Sequence, residues 1–95
     1  MYAVFTEVDA DESQKEAGRE FVNRVAVPGA RAGGAKGGYW LEPRNGRGLS
    51  VVVFDTEAEA RAVADRFEVG KPPDPNAPER VVFRTVEMRE VIAVV

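Results

Sequence analysis

Residues 47–60 read RGLSVVVFDTEAEA, and the fold turns on how this stretch divides. Leu49 to Phe54 is a run of aliphatic, β-branched and aromatic residues broken only by Ser50, which suits a strand buried on at least one face. Thr56 and Glu59 then stand at capping-box spacing, where a threonine hydroxyl accepts the amide three residues on and the glutamate reaches back. Ala60, Val63, Ala64 and Phe67 follow at three- and four-residue intervals, an apolar stripe that can lie on a sheet. A strand running directly into a capped amphipathic helix is one βα unit.

Working outward, PRNGRG on the N-terminal side places Asn45-Gly46, two residues tolerant of positive φ, in a hairpin turn. The strand before it is expected over residues 38–42, with Tyr39 and Leu41 on one side and Trp40 on the other. A Gly-rich connection, GARAGGAKGG, precedes that strand, and before it comes a first helix. Asp9, Asp11 or Ser13 can cap this helix, Ser13 and Glu16 having capping-box spacing, and Ala17, Phe21, Val22 and Val25 form its apolar stripe. Pro28 and Gly29 are predicted to end it near Ala26. Residues 2–8 alternate as a strand.

On the C-terminal side the second helix ends near Gly70, and KPPDPNAPE is a stiff surface loop. Residues 81–95 are one long strand or two short ones. The order is βαββαβ in a single domain over residues 1–95. It predicts an α+β, ferredoxin-like sandwich, an antiparallel sheet with two helices on one face and the other face open.

Composition narrows the function. The chain has no cysteine and no histidine, so thiolate nucleophiles, disulfides, catalytic triads and His-ligated metals are excluded. Neither a metal nor a cofactor is expected. A net charge of −3 gives no overall attraction to nucleic acid or to an anionic membrane. No apolar run approaches a membrane span, and MYAVFTEVDADE lacks the features of a secretory signal, so the expected location is cytoplasmic.

RGLSVVVF also nearly spells the octamer of RNA recognition motif domains, in which aromatic residues at the third and fifth places stack bases. Here those places hold Leu49 and Val51, which cannot stack comparably, so the match is read as hairpin and strand geometry. RNA binding on an open sheet is the least favoured functional reading. If Leu49, Val51 and Val53 share the open face, that face needs a cover, and a second copy of the chain is expected to supply it.

VFTEV (4–8), PGARAG (28–33), YWLEP (39–43), SVVVFDTEAEARAVADRF (50–67) and VEMREVIAVV (86–95) together make most of the chain similar to the dimeric α+β barrel superfamily. This group contains antibiotic-biosynthesis monooxygenase-like domains. The resemblance implies a homodimer in which two ferredoxin-like sheets face each other, ligand clefts between sheet and helices, and a long last strand engaging the partner. Leu49, Val51, Val53, Val91, Ile92 and Val94 are then the interface candidates. Cofactor-independent members oxidise aromatic polyketides, and haem-degrading relatives use an Asn, Trp and His set. This chain offers Asn23 and Trp40 but no histidine.

The ligand-cleft candidates are Asn23, Trp40 and Arg84. Asn23 can orient a carbonyl, or it simply faces solvent. Trp40 can stack a ligand, or it fills a core or an interface. Arg84 and Glu90 interrupt the even-numbered apolar series Val82, Val86, Met88, Ile92, Val94, unless a bulge flips the alternation or the two pair across a dimer. GGAKGG leads into a strand rather than a helix and so is no phosphate loop, and Asp9, Asp11 and Glu12 are read as dipole partners of the first helix. The expected function is a homodimeric monooxygenase-like protein acting on a small aromatic molecule, with catalytic residues unassigned. The alternative is a non-enzymatic small-ligand-binding or structural dimer.

Overall fold

Val4 and Thr6 of the first strand and Ser50, Val52 and Phe54 of the Leu49–Phe54 run are buried while their odd-numbered neighbours are not, the pattern of a sheet covered on one face. The computed structural model describes residues 1–95. Its strands are β1 (Tyr2–Asp9), β2 (Ala35–Trp40), β3 (Arg47–Phe54) and β4 (Val82–Glu90). Between β1 and β2 run a 3-10 turn (Glu12–Gln14), α1 (Lys15–Phe21), a π-helical turn (Val22–Ala26) and α2 (Val27–Ala32), and α3 (Glu57–Arg66) links β3 to β4. All pairings are antiparallel in the order β2-β3-β1-β4, which is a ferredoxin-like α+β fold. No helix is long and apolar enough to cross a membrane.

Register fixes the faces. Val4 pairs with Val52 and Thr6 with Ser50 on the helix side, whereas Phe5 pairs with Val51, Ala3 with Val53 and Glu7 with Leu49 on the open side. Trp40 pairs with Ser50 and so faces the helices, and Tyr39 pairs with Val51 and is 75% exposed on the open face. Gly38 lies where a Cβ would come within 2.7 Å of the Val51 carbonyl oxygen, so β2 can approach β3 this closely only without a side chain.

The core lies under α3. Val4, Val52 and Phe54 meet Ala60 and Val63 of that helix, and Phe67 stacks on Phe83 with ring centroids 4.6 Å apart. Burial of the Phe54 side chain contributes about 1.5–3 kcal/mol. The expected capping box holds α3 at its start, with Glu59 N–H donating to Thr56 Oγ1 at 3.2 Å and Thr56 N–H to Glu59 Oε1 at 3.3 Å.

Three expectations are corrected. The first helix does not stop at Pro28: it widens into the π turn and resumes as α2, with Pro28 in the first turn of the restarted helix, where a missing amide is tolerated. At its start Asp11, one of the three expected caps, accepts Ser13 N–H at 2.9 Å. The second strand begins earlier than predicted, because the glycines of GGAKGG are partly sheet.

The third correction concerns the chain's end. The last strand stops at Glu90, Val91 N–H makes one further bond to the Met1 carbonyl at 2.9 Å, and Ile92 and Val94 lie exposed beyond the sheet. A bulge sets the faces of this strand. Glu7 pairs with Thr85 but Val8 with Phe83, so Arg84 is the extra residue. Phe83, Val86 and Met88 therefore all serve the helix side, and Arg84 is released outward.

Candidate ligand cleft

Residues 12–32 contribute no buried side chain, although Phe21, Val22 and Val25 form the expected apolar stripe. The helical arm stands off the sheet where α3 packs onto it. Between them is a cleft of about 660 Å³. Val4, Thr6 and Val8 of β1, Trp40 of β2, and Ser50 and Val52 of β3 line it from the sheet. Gln14, Gly18, Phe21, Val22 and Val25 line it from the arm, and Phe67 and Phe83 close one side. Its volume lies within the range of small-molecule sites, which are mostly apolar with a few placed polar groups.

Two such groups are present. Thr6 Oγ1 and Ser50 Oγ are 2.5 Å apart, and each residue is 6% exposed, so one hydroxyl donates to the other within the sheet-side wall. The cross-strand register places them there, and the second hydroxyl hydrogen remains free to turn toward an acceptor. Gln14 Oε1 is buried and has no hydrogen-bond partner. Gln14 occupies the N-cap position of α1, but its side chain makes no capping bond there.

Charges gather at the mouth. Lys15 Nζ reaches Glu42 Oε2 at 3.0 Å, linking the start of α1 to the segment after β2, and Arg44 Nη2 donates to Glu42 Oε1 at 2.6 Å. These two bonds, the lysine's first, hold the Glu42 carboxyl below its ordinary range. Asp11 is also lowered, mainly by the Ser13 amide, then by the Ser13 hydroxyl, with Arg80 adding a weaker attraction.

Of the three cleft candidates, Trp40 lines the wall and packs against the core cluster. Asn23, within the π turn, sits exposed at the outer edge, with its amide donating to the Arg19 carbonyl at 2.9 Å. Arg84 lies outside the cleft, its Nε 2.9 Å from Asp9 Oδ1, and Arg47 Nη1 reaches the same oxygen at 2.5 Å. Asp9 thus serves two arginines while Asp11 caps a helix, and no group of three or more acidic side chains converges.

Leu49, Val51 and Val53 share the open face, and Val51 is 38% exposed. Sequence reasoning passed over Gln14, Thr6 and Ser50. Thr6 and Ser50 carried a signal: each is a hydroxyl residue within an otherwise apolar even-numbered series, and pairing the two strands puts them opposite each other. No protein-family model matches the chain, and no curated protein matches it.

Proposed function

We propose that the protein is a homodimeric α+β barrel subunit that binds a small aromatic molecule between its sheet and its N-terminal helical arm. The cleft of about 660 Å³, whose lining joins Trp40, Phe21, Phe67 and aliphatic side chains to the Thr6–Ser50 hydroxyl pair, carries this reading. Binding is favoured over oxygenation of the ligand. Cofactor-independent oxygenation needs a base to form the substrate anion, and two of the carboxylates at the cleft, Glu42 and Asp11, are already engaged by Lys15, Arg44 and the Ser13 amide.

The open face supports the dimer. It presents Phe5, Tyr39, Leu49, Val51 and Val53 together, an apolar surface that a second copy would cover. Its guanidinium groups are matched by acids: Arg47 and Arg84 meet Asp9, Arg47 also lies 3.8 Å from Glu7, and Arg89 meets Glu87 at 3.2 Å. That balance leaves no positive stripe to follow a phosphate backbone, which argues against the RNA reading.

Two measurements test the proposal. Light scattering over a dilution series is expected to give twice the chain's 10.4 kDa mass, and Val51→Lys to give the monomer. Titration of fused-ring aromatic compounds is expected to quench the single tryptophan, Trp40, without oxygen consumption. A wild-type monomer refutes the dimer. Absence of binding across the panel refutes the cleft, and ligand-dependent oxygen uptake would establish the enzymatic alternative.

A further inference from the structure

Six charged side chains line the cleft, and four of them are already engaged within the chain. Asp11 accepts Ser13 N–H at 2.9 Å, Asp74 accepts Asn76 N–H at 2.9 Å, and Glu42 lies between Lys15 and Arg44. The other two are Arg19 of α1 and Arg66, the last residue of α3, and neither guanidinium meets a carboxylate. Glu16 stands three residues before Arg19, a spacing at which helical ion pairs form, yet the two do not pair. Arg24 and Arg61, each four residues after a glutamate, do pair. The fold also brings Arg19 and Arg66 toward one end of the cleft. The arm leaves β1 after Asp9, whose neighbour Val8 pairs with Phe83, and Arg66 precedes Phe67, which stacks on that same Phe83. The apolar part of the cleft, with Trp40, Phe21 and Val22, therefore ends at a mouth holding two guanidinium groups free to donate.

Resting on the reading of the cleft as a ligand site, we infer that its ligand is an aromatic acid, with its rings between sheet and arm and its carboxylate accepting from Arg19 and Arg66. A guanidinium presents its N–H donors in a planar fork that matches a carboxylate. The single negative charge follows from the neighbours. Asp11, Glu42 and Asp74 line the same cleft and repel the second charge that a phosphate ester would carry. Both arginines are exposed, so the carboxylate keeps part of its water while the rings enter the apolar part. The acid group thus discriminates between molecules of the same ring system.

The test uses the full chain and four probes, naphthalene, naphthoate, its neutral amide and naphthyl phosphate, titrated by calorimetry at low salt. The wild type is expected to bind naphthoate about tenfold more tightly than the amide, the factor that two solvent-exposed ion pairs together supply. High salt is expected to shrink that preference. In the double variant Arg19→Gln, Arg66→Gln the acid and the amide are expected to bind within about twofold of each other, with naphthalene affinity unchanged. Arg19→Lys with Arg66→Lys keeps both charges, is expected to retain part of the preference, and serves if the glutamine variant fails to fold. Equal binding of naphthoate and its amide to the wild type overturns the inference and leaves the cleft intact. A preference that survives the two glutamines overturns it too, by placing the cation elsewhere. Tighter binding of naphthyl phosphate than of naphthoate overturns the assignment of a carboxylate. Failure of all four probes to bind removes the cleft reading and this inference with it.

Discussion

Thr6 and Ser50 share a hydrogen bond in the sheet-side wall of the cleft, and removing one of the two hydroxyls should be worse than removing both. Thr6→Val keeps the branched shape and strand preference but strands Ser50 Oγ, which is 6% exposed beside Val4 and Val52. A buried hydroxyl left without its partner costs about 1–3 kcal/mol. Ser50→Ala strands Thr6 Oγ1 in the same way. The double variant removes both polar atoms and is expected to lie within about 1 kcal/mol of the wild type.

Summed independently, the two single changes would cost about 2–6 kcal/mol, so the double variant should reveal a coupling of at least about 1 kcal/mol. Total stability for a chain this size is roughly 5–14 kcal/mol, and each kcal/mol moves the melting midpoint by about 4–8 °C. Urea unfolding, followed by Trp40 fluorescence at one fixed protein concentration, measures all four corners of the cycle. Additive single costs, or singles below about 0.5 kcal/mol, would refute the reasoning. They would mean that water in the cleft already solvates both hydroxyls and that the wall is wet.

Phe54→Ala empties the center of the core and is expected to cost about 3–5 kcal/mol, read as a lowered midpoint in thermal circular dichroism. Gly18→Ala places a methyl group where no atom lies within 4 Å, and should raise stability by roughly 0.5–1 kcal/mol in the same assay. Glu42 and Asp11 have folded-state pKa values below their ordinary 4.5 and 3.8, so their contribution is present above those values and is lost as pH falls through the lowered ones. Melting temperature should therefore hold from pH 7 to about 5 and decline below about 4.5. Glu42→Gln should flatten part of that decline, as should high salt, which screens the exposed Lys15–Glu42 pair.

The central βα unit was legible because local chemistry and tertiary packing agree there. The apolar run, the capping box and Ala60 and Val63 of the stripe occupy the places their sequence pattern implies, although α3 ends at Arg66 rather than near Gly70, and Asn45 and Gly46 do take positive φ at 55° and 77°. Pro28 was misleading because its rule concerns the amide it lacks, whereas the wider π turn before it changes which carbonyls need donors. The Arg84 bulge was open as an alternative and no more, since one extra residue is visible only against a partner strand. Val91 to Val95 have strand-like side chains, but their pairing with the first strand is limited to the Val91 N–H bond to the Met1 carbonyl.

The cleft itself was the least legible feature, because it depends on distance rather than on pattern. Phe21, Val22 and Val25 have the spacing of residues that pack down on a sheet, yet they remain half-buried because the arm stands away from it. Spacing tells which side of a helix is apolar. It does not tell how far that side stands from what it faces.

The π turn at Val22–Ala26 has a consequence for how the chain can change in length. In an α-helix each residue added or taken away turns everything before it by about 100° relative to everything after. A π turn holds one extra residue within a single wider turn, its hydrogen bonds closing five residues apart instead of four. Val22–Ala26 is therefore the place where the arm can lose one residue, relax to an ordinary α-helix and keep α1 nearly in phase with α2, so that Phe21 still faces the cleft. The same loss inside Lys15–Phe21 has no such slack, and would turn the start of the arm away from the side chains that follow it.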